Sequence, residues 1–193
     1  MYKKQMRFQK VFCLIALFAS VLVFIYALGI MTDLYDALYF TMMDPTDPDS
    51  TFVPGSQVYY HMQDFNKALL SGAIVMLLLS VLLFITNTNN RRKYYIANYV
   101  SVGLYSIFTV AYVVWGHINI QKYRAEWKAI DFEALKNFAT TFKHLYTEST
   151  FWFDVHYFIF LICICAVCLL IFNVIWKNSL MKEEKRLLEG GKA

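Results

Sequence analysis

Residues 68–86 read ALLSGAIVMLLLSVLLFIT, nineteen consecutive positions without a charge. At about 1.5 Å of rise per helical residue this block covers roughly the 30 Å of a bilayer's hydrocarbon core. It is read as a transmembrane helix, and three more blocks repeat the pattern. Residues 11–30 (VFCLIALFASVLVFIYALGI) contain no charge, 95–115 (YIANYVSVGLYSIFTVAYVVW) are more polar, and 153–176 have Asp154 and His156 only at their start. The apolar core ahead of Ala27-Leu28-Gly29 exceeds the roughly 7–15 residues of a secretory signal, so the first block is expected to be a retained anchor. Tyr94, Tyr95, Trp115, Trp152 and Trp176 fall near the block ends, where amphipathic rings favour the headgroup layer.

Composition agrees with the four blocks. Of 193 residues, 59% are hydrophobic and 17% charged, against about 25% charged in soluble domains. The expected fold is an all-α integral membrane protein, a single membrane domain over 1–193. Four transmembrane helices form a bundle, and two outward segments, 31–67 and 116–152, form a small, partly helical cap. Cytoplasmic parts are 1–10, 87–94 and 177–193. Orientation follows from the basic residues, because twelve of the eighteen Lys and Arg lie in those three parts while eleven of the fourteen acids lie on the opposite side. The positive-inside rule then places both termini and the 87–94 turn, with Arg91, Arg92 and Lys93, in the cytoplasm, most simply of a plasma membrane. The net charge of +4 sits beside helix ends, where it sets topology and meets anionic lipid. No basic stripe with stacking aromatics is present, so nucleic acid is not an expected partner.

The first outward segment opens with Thr32-Asp33-Leu34-Tyr35-Asp36-Ala37-Leu38-Tyr39-Phe40, which suggests a short amphipathic helix behind a Thr N-cap. Turn formers follow, Asp44 to Ser50 and then Pro54-Gly55. Asp44, Asp47 and Asp49 resemble part of a calcium loop but lack the Gly and Glu of an EF-hand, so an acidic turn is expected. In the second segment Tyr123, Trp127, Ile130, Ala134, Leu135 and Phe138 recur at helical steps, which predicts an amphipathic helix continuing the third span. Tyr123, Trp127, Ile130, Leu135 and Phe138 are the candidate partner-binding face, part of it packing on the first outward loop.

Asn98, Ser101, Tyr105, Thr109 and Tyr112 line one face of the third span. Unpaired polar groups in lipid are costly, so this face is expected to look into the bundle and bond across helices. A polar translocation path is the alternative. At the outer boundary Asp154 and His156, with His61 and Asp64 ahead of the second span, are expected to anchor at the interface. They would make a metal or proton site only if all four converged.

Cys163, Cys165 and Cys168 lie together in the fourth span, and Cys13 in the first. A four-helix membrane bundle with the Cys165-x-x-Cys168 pair in its last span resembles the vitamin K epoxide reductase family of quinone-coupled thiol oxidoreductases. That resemblance implies a thiol redox activity and a second cysteine pair on an outward segment, which this chain does not have. Cysteine also serves as a small hydrophobe in such helices, and that reading is preferred. No P-loop, H-E-x-x-H, G-x-S-x-G or dinucleotide fingerprint occurs.

The expected function is a non-catalytic accessory or scaffold subunit of a larger membrane complex, in contact with lipid and other subunits and needing no cofactor or metal. A small transporter or homo-oligomeric channel is the second reading, and a thiol oxidoreductase the third.

Overall fold

The structure is a computed structural model that describes residues 2–43, 47, 49–88 and 95–190, without the side chains of 2, 33–37, 95 and 190. Asp44, Pro45, Thr46 and Pro48, the basic turn with Arg91, Arg92 and Lys93, Tyr94 and Lys192 lie outside the described residues. The described residues form five α-helices, α1 (Tyr2–Leu38), α2 (Val58–Thr88), α3 (Tyr95–Lys128), α4 (Phe132–Phe142) and α5 (Phe151–Gly190), and one 3-10 turn at Tyr39–Thr41. Among the described residues, α1, α2, α3 and α5 are long and apolar enough to cross a membrane, and they pack as a bundle. Each is longer than its hydropathic block. α3, with 34 residues, reaches about 50 Å by helical rise, well over the roughly 30 Å hydrocarbon core.

The chain packs as two compact units, and the four long helices contribute to both. The first comprises Met1–Leu22, Val75–Ala111 and Ile159–Ala193. Its core is built on small residues of α1, Cys13, Ala16, Ala19 and Ser20, all fully buried. They recur at three- and four-residue steps and let neighbouring backbones approach, the usual basis of helix packing where lipid removes the hydrophobic drive. Met76 and Leu83 of α2, Tyr105 of α3 and Cys163, Ala166 and Leu170 of α5 complete it.

The second unit comprises Val23–Ile74 and Tyr112–Phe158. Val23, Tyr26, Ala27 and Ile30 of α1 are buried, as are Phe65 and Leu69 of α2 and Phe153 of α5. α1 does not stop at Thr32. With no proline or glycine between 30 and 38 to break it, the helix runs to Leu38, and the Thr32 hydroxyl bonds back to the Leu28 carbonyl at 3.0 Å instead of capping a new helix. Back-bonding of this kind is the alternative open to Thr in a helix.

The amphipathic stretch 121–138 is likewise two elements, not one. α3 ends at Lys128, and the Asp131 side chain accepts from Ala134 N at 2.9 Å, giving α4 its own N-cap. Capping satisfies one of the amide donors that a new helix leaves open. Asp131 N in turn donates to the Pro54 carbonyl at 3.1 Å, which ties the break to the first outward segment. The Pro54-Gly55 turn fits there because Gly55 holds a φ of +87° and a Cβ on it would sit 2.8 Å from Ile130 Cα. At the other end of α4, Lys143 adopts the left-handed conformation (φ 56°) and His144 N bonds to Ala139 O at 2.9 Å, a Schellman-like stop.

Gly29 of α1 lies against the indole of Trp152, whose Cη2 would be 2.1 Å from an added Cβ. Gly103, by contrast, has nothing within 4 Å of that position. Gly29→Ala is expected to lower the melting temperature of the purified protein by several degrees, since overpacking costs about 1–3 kcal/mol and each kcal/mol shifts Tm by about 2–4 °C at this size. Gly103→Ala should not lower it. Equal melting temperatures for the two variants would contradict the Gly29–Trp152 contact.

Candidate functional site

In the first unit the polar face of α3 looks inward: Asn98, Ser101, Tyr105 and Thr109 are all buried. Ser101 Oγ accepts from Thr86 Oγ1 at 2.8 Å and from Asn87 Nδ2 at 3.0 Å, and it lies 3.0 Å from the Asn98 carbonyl. Tyr105 OH donates to Ala16 O at 3.0 Å and lies 3.2 Å from Ser20 Oγ. In the second unit the buried Tyr112 donates to Leu69 O at 2.8 Å. These hydroxyls therefore link α3 to α1 and α2. Bonds of this class average about 0.6 kcal/mol each, so the face works as distributed adhesion.

Near the start of α1 in the first unit the structure adds an amide cluster that the sequence reading did not find. Gln5 Nε2 donates to Gln9 Oε1 at 3.0 Å and to Asn173 Oδ1 at 2.8 Å, and Gln9 Nε2 donates to the Asn87 carbonyl at 2.6 Å. The last bond occupies one of the carbonyls that the final turn of α2 leaves open. Gln5 and Gln9 sit one turn apart on α1, the only local hint of a shared face. Cys13 and Cys163 are buried, while Cys165 and Cys168 face out of the bundle within the span, and all four thiols are free.

The candidate partner face of the second unit is mostly internal. Trp127 is 0% exposed, and Tyr123, Ile130 and Leu135 are also buried; only Phe138 is partly exposed. Tyr123 packs on Phe65 of α2, and Trp127 packs on Phe132 of α4 and Phe153 of α5. The expected docking role of Tyr123, Trp127, Ile130 and Leu135 is thus corrected: one chain provides enough apolar surface to cover them. Helical periodicity identifies a face that must be buried but not what buries it.

Exposed aromatic surface lies beside that core. Phe40 stacks on His144 with centroids 4.0 Å apart and planes 6° apart, Phe138 lies 4.6 Å from Phe142, and Phe52 lies 5.6 Å from Phe138. Phe40 is 48%, Phe52 53% and Phe142 56% exposed. Phe40 and Phe52 come from the first outward segment and the other three rings from the second. The stop at Lys143 turns the chain so that His144 meets Phe40.

The polar groups at the start of α5 pair separately. His61 Nδ1 lies 2.7 Å from Glu126 Oε2, Asp64 pairs with Lys67 at 3.6 Å, Arg124 Nη2 donates to Asp154 Oδ1 at 2.7 Å, and Thr150 Oγ1 donates to Asp154 Oδ2 at 2.6 Å. His61, Asp64, Asp154 and His156 therefore do not converge, and no cluster of three or more metal-ligating residues is found among the described residues. His156 is fully buried; its Nδ1 bonds to the Phe153 carbonyl and its Nε2 lies 3.0 Å from His117 Nδ1. A carbonyl only accepts, so His156 Nδ1 carries a proton, and His156 Nε2 and His117 Nδ1 share a hydrogen bond between the two rings. His117 was missed in the sequence because its partner lies 39 residues away.

Three further donors in this region have no acceptor among the described residues: Gln121 Nε2, Arg124 Nε and Trp127 Nε1. A buried donor left unsatisfied costs about 1–3 kcal/mol, and native structures contain few of them.

Because Trp127 lies in a packed core, Trp127→Ala is expected to destabilise the protein by about 3–5 kcal/mol and to lower Tm by about 10 °C. An unchanged Tm in thermal unfolding of the purified variant would contradict its internal placement. No protein-family model, curated protein or solved structure gives a significant match to this chain.

Proposed function

We propose that the chain is a non-catalytic accessory or scaffold subunit of a larger membrane assembly, with both termini in the cytoplasm of a plasma membrane and its cap outward. The observation that carries this reading is the exposed aromatic cluster of Phe40, Phe52, Phe138, Phe142 and His144. Phe40 lies ten residues beyond Ile30, about 15 Å by helical rise, whereas the headgroup layer adds only about 5–7 Å to each side of the hydrocarbon core. With 11–30 as the span, lipid does not reach the cluster. Contiguous aromatic surface in water marks protein contacts, and aromatic side chains dominate the energetic centres of interfaces. The occupant is accordingly the outward portion of another membrane subunit.

The transporter or channel reading has less support, because three of the α3 hydroxyls that would line its path, those of Ser101, Tyr105 and Tyr112, bond to neighbouring helices. The oxidoreductase reading rests on Cys165 and Cys168, which face lipid and have no relay partners in the outward segments.

Phe40→Ala and Phe142→Ala are expected to weaken co-purification with the partner by at least tenfold each, about 1.4 kcal/mol or more, while changing Tm by less than about 2 °C. Affinity purification from the native membrane with quantification of co-purifying chains, alongside thermal unfolding, checks both. Unchanged stoichiometry in the double variant would overturn the docking role of the cluster.

A further inference from the structure

Lys3, Lys4, Arg7 and Lys10 recur at three- and four-residue steps over the first turns of α1, and all four are exposed. At about 100° per residue they share an arc of roughly 120°, and the centre of that arc lies opposite Gln5 and Gln9. Those two amides are buried, bonding to Asn173 of α5 and to the Asn87 carbonyl of α2. The amide cluster thereby fixes the rotation of α1 and turns the basic residues away from the bundle.

These charges have no counterweight in the chain. α1 contains no acid before Asp33, and no ion pair joins the four cations to a carboxylate among the described residues. Like charges one turn apart repel, so an outside anion that meets them relieves the ladder. Further along α1 the same arc carries Val11, Leu14 and Phe18, all exposed. One continuous column is therefore cationic at its start and apolar beyond it. Lys10 and Arg7 precede the uncharged 11–30 block by one and four residues, about 1.5 and 6 Å of rise, which sets them within the roughly 5–7 Å headgroup layer. Lys3 and Lys4 lie higher and reach toward it along their flexible stems. Phe8, with its ring 5.9 Å from that of Trp176 on α5, marks the same level.

From this arrangement we infer that the α1 column is a docking surface for an anionic phospholipid. Arg7 and Lys10 hold the phosphate, Lys3 and Lys4 add to the local field, and an acyl chain lies along Val11, Leu14 and Phe18. A guanidinium grips a phosphate with paired N–H donors and an ammonium meets it as a point charge. Four cations beside a span are the footprint that anionic headgroups recognise. A soluble anion would use the charges but not the apolar continuation below them, whereas a lipid uses both.

The test is native mass spectrometry of the full-length protein in maltoside micelles doped with phosphatidylglycerol or with phosphatidylcholine, which reads the lipid retained by each chain. Phosphatidylglycerol is expected to bind at least about tenfold more tightly, since each cation near the surface adds to the attraction. Lys3→Gln, Lys4→Gln, Arg7→Gln and Lys10→Gln together should bring the two lipids within about twofold of each other. Arg7→Gln alone, a single change at an exposed position, should lower the preference by at least about threefold. Lys182→Gln, Lys185→Gln and Arg186→Gln together, on the exposed end of α5, should leave it unchanged. Equal binding of the two lipids by the parent protein overturns the proposal. So does a preference that survives loss of the α1 cations or disappears with those of α5. Inorganic phosphate at the same concentration should not displace the lipid, and displacement would overturn a lipid as the occupant.

Discussion

A polar group inside a bilayer finds its partner within the protein or goes without, and the rest of this structure depends on that constraint. The long helices satisfy their own backbones, so the sequence has freedom mainly in where it places hydroxyls and amides. Ser101 of α3 takes hydrogen bonds from Thr86 and Asn87 of α2, and Tyr105 reaches the α1 backbone at Ala16. The Tyr105 hydroxyl reaches the α1 backbone along an edge of small residues, Cys13, Ala16, Ala19 and Ser20, all fully buried. Adhesion and close packing are therefore one design in this unit, and an individual bond is weak enough for the set to tolerate single losses.

The second unit buries large residues, among them Trp127, Tyr26, Phe153 and Leu38. Its two outward segments are joined by the Asp131 N to Pro54 O bond and by the stack of Phe40 on His144. The rings that remain exposed on that cap carry the proposed docking role.

The spans were legible in the sequence because nineteen or more uncharged residues in a row have few alternatives to a membrane helix. The inward direction of Ser101, Tyr105 and Tyr112 was legible too, since three- and four-residue spacing fixes a face and lipid excludes it from the outside. The same spacing revealed the Trp127 face but not its cover, which comes from Phe153 on α5 and Phe132 on α4. Thr32 misled for a local reason: its hydroxyl can cap a helix or bond back within one, and only the path of the chain decides. The stop at Lys143 gave no signal because the left-handed position usually filled by Gly holds a Lys. His117 with His156, and Phe40 with His144, join residues far apart in sequence, beyond the reach of any periodicity.

The most direct measurement of the account is side-specific labelling of single cysteines, introduced on a cysteine-free background at Asn137 on α4 and at Arg186 near the end of α5. Both positions are solvent-exposed in the structure. A membrane-impermeant thiol reagent applied to intact cells is predicted to label position 137 at once and position 186 only after permeabilisation. Labelling of both positions in intact cells, or protection of 137 until the membrane is opened, would contradict an outward cap carried on four membrane-crossing helices.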